Sequence, residues 1–176
     1  MEAKKTSTAK IALNFGAILG LVLMLPTLIT YVFELYEFEF LNYISYALIA
    51  GGVYIGVKKL RDDFRGGTLS YGQGLGFGVL LCFFASIIVG FASYLYLKFI
   101  DASFIQFTLN ELESGYNEAG NLTDDQVNAA LSWSKMVISP LGIFFTSLIG
   151  TTLIGLICSL IIAAFTKKDV NSFDEI

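Results

Sequence analysis

Histidine does not occur in this chain. Its absence removes the side chain that most often moves protons near neutral pH, and the commonest metal ligand. Proline is nearly missing as well. Only Pro26 and Pro140 occur in 176 residues, so helices can run long. Charge is scarce, at 15% Asp, Glu, Lys and Arg, where a soluble domain carries about 25%. The two cysteines, Cys82 and Cys158, both fall inside apolar runs. A free thiol there is a small hydrophobe and implies neither a disulfide framework nor a redox compartment. The central parts of those runs hold no Asp, Glu, Lys or Arg. Ion pumps and aspartyl intramembrane proteases need such groups within the bilayer, so both classes are disfavoured.

What the chain does have is 55% hydrophobic residues, gathered in four blocks of about 11–33, 41–57, 73–98 and 137–165. The first block is roughly 35 Å long as a helix, at about 1.5 Å per residue, enough to cross a bilayer. It is too long for a cleaved signal peptide, and bulky Tyr31, Val32 and Phe33 stand where a small-residue cleavage site would be, so it is expected to stay as a span. Pro26 is expected to kink it. The expected fold is an all-α membrane protein in a single domain, 1–176. It has four transmembrane helices as two antiparallel hairpins, a helical extracytoplasmic hairpin over 99–136, and a disordered tail at 169–176. Within 99–136, one helix is expected from Ser103 to about Ser114, followed by a turn from Gly115 to Asn121. A second helix is expected from Asp124, opened by the capping-box spacing of Thr123 and Gln126.

Basic residues sort sharply by side. Lys4, Lys5, Lys10, Lys58, Lys59, Arg61, Arg65, Lys167 and Lys168 flank one set of span ends, and only Lys98 and Lys135 flank the other. Lys and Arg are retained in the cytoplasm, so both termini and the 58–65 turn are expected there. Tyr31, Tyr36, Tyr43, Tyr94, Tyr96, Phe99 and Trp133 gather at the opposite ends as an interfacial belt.

Two spans carry ladders of small residues four apart. Gly74, Gly78, Cys82, Ser86 and Gly90 lie on the third, and Ser147, Thr151, Gly155, Ser159 and Ala163 on the fourth. Lipid is as apolar as leucine, so membrane helices associate by close backbone approach. The ladders therefore predict that the third and fourth spans pack together.

Catalytic signatures are weak. Ser132 and Lys135 have the spacing of a nucleophile and base, but both sit on an expected surface helix. Gly72, Gly74, Gly76 and Gly78 alternate, yet no strand precedes them and no Gly-Lys-Ser/Thr follows. They match neither a dinucleotide fingerprint nor a phosphate loop, and close helix packing explains them more simply.

The stretch from Lys58 to Gly78 carries Gly56-Val57-Lys58, Arg61-Asp62, Gly66-Gly67, Ser70-Tyr71-Gly72-Gln73 and Gly78. Pro140, Gly155, Ser159-Leu160-Ile161, Ala163 and Lys167-Lys168 form a second block, and Asp101 with Phe104 a third. In these blocks the chain resembles a family of uncharacterised bacterial membrane proteins typical of Bacteroidetes, the domain of unknown function numbered 4199. Members often have proline where this chain has Ala102. The resemblance implies four spans and the bacterial inner membrane, and brings no activity with it.

Two readings of the basic turn stand side by side: a structural connection, and a docking surface built on Arg61, Asp62, Gly66, Gly67, Ser70 and Gln73. The expected function is a non-enzymatic accessory or interaction protein without a cofactor or metal. Its partners are the lipid bilayer and a membrane or cytoplasmic protein, with homo-oligomerisation open and nothing pointing to nucleic acid. The alternatives are a small oligomeric carrier or pore and, last, a lipid-modifying enzyme.

Overall fold

The computed structural model describes residues 7–119 and 123–168, and among them the chain is helical with a single isolated β-bridge. The expected tail at 169–176 lies outside the described residues, as do Lys4 and Lys5 and the last residues of the expected 115–121 turn. Four helices are long and apolar enough to span a membrane: α1 (Thr8–Val32), α2 (Glu39–Lys59), α3 (Tyr71–Phe99) and α6 (Pro140–Thr166). Two shorter helices, α4 (Ser103–Ala119) and α5 (Asp124–Val137), lie between α3 and α6.

The spans pack as a ring in the order α1, α3, α6, α2, and α3 has the two most extensive interfaces. Its antiparallel contact with α6 follows the small-residue ladders. Gly74 faces Ala163, Gly78 faces Ser159, and Gly155 faces Cys82. The numbers in each pair sum to 237, which is a constant antiparallel register. Toward the other end Gly90 meets the backbone of Phe144, with Ser147 and Thr151 only half-buried. Ser86 is fully buried, its hydroxyl donating to Phe83 O at 2.7 Å. The Ser159 hydroxyl is buried without a hydrogen-bond partner.

The other large interface joins α3 to α1, not to a sequence neighbour. Gly16 and Gly20 carry it. A Cβ added at Gly16 would lie 2.6 Å from the Leu81 carbonyl oxygen, and one at Gly20 would lie 2.9 Å from that of Ala85. Backbone oxygens cannot step aside, so this contact requires glycine. The two antiparallel hairpins are therefore joined to each other through α1 and α3. α1 runs parallel to α3 and touches it more than it touches α2. Between them lies a core of Ala12, Leu19, Val53, Val57, Leu81 and Ala85. Ile18, Leu25, Ile149, Ile157 and Phe165 stand exposed on the outer faces, as expected of residues that meet acyl chains.

Helix α1 continues through Pro26 as a single element. Thr27 and Thr30 hydroxyls donate to Leu23 O and Pro26 O, adding donors in the turns beside the proline. Helix α2 does not end at 57. It runs to Lys59 and continues as a π turn over Leu60–Phe64. α4 continues through Gly115 to Ala119, so no turn begins at Gly115. α4 and α5 are amphipathic, and α4 covers the span ends. Tyr31 stacks on Tyr96 at 5.4 Å, and Phe104 of α4 packs on Tyr31 at 5.2 Å and Tyr36 at 5.4 Å. α1 closes with a Schellman motif, Leu35 N–H donating to Thr30 O and Glu34 N–H to Tyr31 O. Glu34 holds the left-handed position, φ +53°, that glycine usually fills.

Candidate functional site at the basic end

The basic connection between α2 and α3 is shorter and better fixed than its composition suggests. The π turn carries Arg61, Asp62 and Asp63 as helical residues, so only 65–70 leave helical geometry. Leu60 and Leu69 are completely or almost completely buried and pin both sides of the connection to the bundle. Gly66 and Gly67 take φ of +62° and +84°, where a Cβ would clash with the peptide. The Gly67 N–H reaches back to Arg61 O at 2.9 Å and ends the widened helix.

Three long-range contacts then join this connection to other elements. The Arg61 guanidinium donates from Nη1 to Thr166 O at the end of α6, at 3.2 Å. A cation there also complements the negative end of the α6 dipole. The Arg65 Nη2 donates to the Thr8 hydroxyl at the start of α1, at 3.0 Å. Leu69 and Lys168 exchange both backbone hydrogen bonds at 2.9 Å, a one-rung antiparallel bridge between the turn and the end of the last span. All four span ends on this side are thereby tied to one loop.

The expected contact residues separate under this geometry. Arg61 is held on both sides, since Nε and Nη2 also donate to Asp62 at 2.7 and 3.2 Å. Ser70 and Gln73 form a capping box at the start of α3, with the Gln73 amide N–H donating to Ser70 Oγ and the Ser70 amide N–H to Gln73 Oε1. Gly66 and Gly67 serve the backbone. Asp62, Ser70 and Gln73 are the exposed side chains of the set; those of Ser70 and Gln73 are engaged in the cap, and Asp63 and Phe64 are exposed beside Asp62. Sequence reasoning did not single out Phe64, although an aromatic ring between acidic and basic residues was a signal it could have used. The Leu69–Lys168 bridge carries no periodic signal to find.

Other motifs resolve simply. Gly74 and Gly78 are packed, but Gly72 and Gly76 face open space, so close packing explains half of that series. The Ser132 hydroxyl donates to Asn128 O at 2.8 Å in its own helix, and Lys135 is exposed. Among the described residues no three of Cys, Asp and Glu come together as a metal site.

Four apolar spans with a knotted basic end and an aromatic far end define a multi-pass α-helical membrane protein. Residues 14–168 match the family model described as "Protein of unknown function (DUF4199)", and the chain belongs to that family. No curated protein and no solved structure matches it.

Proposed function

We propose that the protein is a non-enzymatic accessory subunit of the bacterial inner membrane, with its basic end in the cytoplasm and a docking surface on the α2–α3 connection. The observation that carries this reading is the fixed backbone of that connection. Bonds to α1, α6 and Lys168 hold it while Asp62, Asp63 and Phe64 stay exposed. A pre-ordered loop loses little conformational freedom on binding, which favours recognition. Phe64, 49% exposed, supplies an aromatic anchor, and the acids beside it supply directional acceptors.

The test is co-purification in mild detergent with mass spectrometry, comparing wild type with Asp63→Ala and Phe64→Ala, since Asp62 also holds Arg61. Loss of the same partners from both variants at an unchanged melting temperature is the expected result. Equal recovery from all three proteins defeats the reading. Gln73→Ala is unsuitable as a contact probe, because it removes half of the α3 cap.

A further inference from the structure

At the opposite end, the α1–α2 connection and the first turns of α4 enclose an open cavity of about 350 Å³. Its lining is Glu34, Tyr36, Glu37, Phe38, Ser103 and Phe107. This pocket mixes polar and aromatic walls, unlike the grooves between the spans, whose linings are almost wholly apolar. The rings have fixed positions: Tyr36 packs on Phe107 at 5.2 Å and on Phe104 at 5.4 Å.

The hydrogen-bonding inventory of the lining is one-sided. Glu34 and Glu37, when ionised, only accept. The Ser103 hydroxyl has its proton committed to Asp101 Oδ1 at 2.6 Å, so its remaining capacity is lone pairs. The Tyr36 hydroxyl is directed at Tyr31 O at 3.4 Å, leaving an acceptor oxygen as well. The pocket therefore offers acceptors, carboxylates and aromatic rings, with none of these side chains free to donate. The last carbonyls of α1 add the negative end of a helix dipole beside it. No lysine or arginine among the described residues is paired with these carboxylates. Among the described residues the one ion pair is Arg61–Asp62 at the far end, and Lys98 is engaged with the Tyr94 hydroxyl at 2.6 Å and with the Phe99 ring.

We propose that this cavity binds an organic ammonium group, as the headgroup of an aminophospholipid or as a free soluble amine. An ammonium ion is a donor with no acceptor, and its charge is attracted both by carboxylates and by ring faces. Anions and neutral donors lacking charge find no complement here. The cavity sits beside the aromatic span ends, level with lipid headgroups, and it is open to water, so both sources reach it. This site is independent of the docking surface at the basic end.

The test uses the full chain in a non-ionic detergent. Ethanolamine hydrochloride, which carries a primary ammonium, is titrated at fixed pH against sodium chloride of equal ionic strength, with thermal unfolding as the readout. In parallel, the purified protein's retained lipids are compared after incubation with phosphatidylethanolamine and phosphatidylglycerol. The variant is Glu34→Asn with Glu37→Gln; asparagine tolerates the left-handed backbone of residue 34, so the bend is kept. Glu37→Gln alone serves if the double variant does not fold. Wild type is expected to show saturable stabilisation by ethanolamine, weakened at least about tenfold in the variant. Stabilisation by ethanolamine assigns the free amine. Selective retention of phosphatidylethanolamine, lost in the variant, without an ethanolamine response assigns the headgroup. Indifference to both probes, or the same response in wild type and variant, overturns the proposal.

Discussion

The two ends of the bundle are closed by different chemistry. At the basic end the closure depends on particular atoms: a guanidinium on Thr166 O, a backbone pair between Leu69 and Lys168, and two glycines with positive φ. At the aromatic end it depends on area. Tyr31, Tyr96 and Phe104 bury ring faces, and Leu28, Tyr36, Ile105 and Ile143 fill in around them. Directional bonds fail when one atom is moved, whereas ring packing accepts any side chain of similar volume. The basic end should therefore reject conservative replacements that the aromatic end tolerates.

The largest effect should come from Tyr31→Ala, which removes the stacked ring and lowers stability by about 3 kcal/mol, by analogy with other buried aromatic truncations. Tyr31→Phe should retain most of that stability, and a loss as large as alanine's would break the comparison. Arg61→Ala should cost about 1 kcal/mol, the order expected for one charge-assisted hydrogen bond in a partly exposed setting. Arg61→Lys should not restore it, since lysine lacks the planar fork that reaches Asp62 and Thr166 together. Both are read as shifts in detergent melting temperature.

The smallest effect concerns acid. Asp101 accepts from the Ser103 hydroxyl and amide at the start of α4, and these bonds hold its carboxyl below the usual carboxylate range. A depressed value stabilises the folded state above the normal carboxylate pKa of about 3.9, and that contribution disappears as pH falls through the depressed value. Melting temperature should thus drop modestly below about pH 4, and Asp101→Asn should flatten that drop.

Fold class was legible because charge-free runs have few other physical readings, and lysine asymmetry paired the span ends. The α3 and α6 ladders were visible as spacing and meet in the structure. Gly16 and Gly20 have the same spacing of four, but nothing local names the partner of a glycine pair, and it is α3. The extension of α2 was hidden because Lys58, Lys59 and Arg61 look like a loop by composition, although charged residues suit a helix that emerges into the headgroups. Gly115 looked like a turn by type, yet an exposed helical glycine costs only about 1 kcal/mol. At the basic end, Ser70 with Gln73 could be read as a cap from spacing alone. The roles of Arg65 and Leu69 depend on Thr8 and Lys168, far away in the chain.

The bridge between Leu69 and Lys168 has a bearing on biogenesis. Spans leave the ribosome in order, so the α2–α3 connection waits for the end of α6 before its latch can engage. Until α6 arrives, the glycine face of α3 lacks the partner that Ala163, Ser159 and Gly155 provide. A chain truncated just before Lys168 would keep all four spans and lose only the rung.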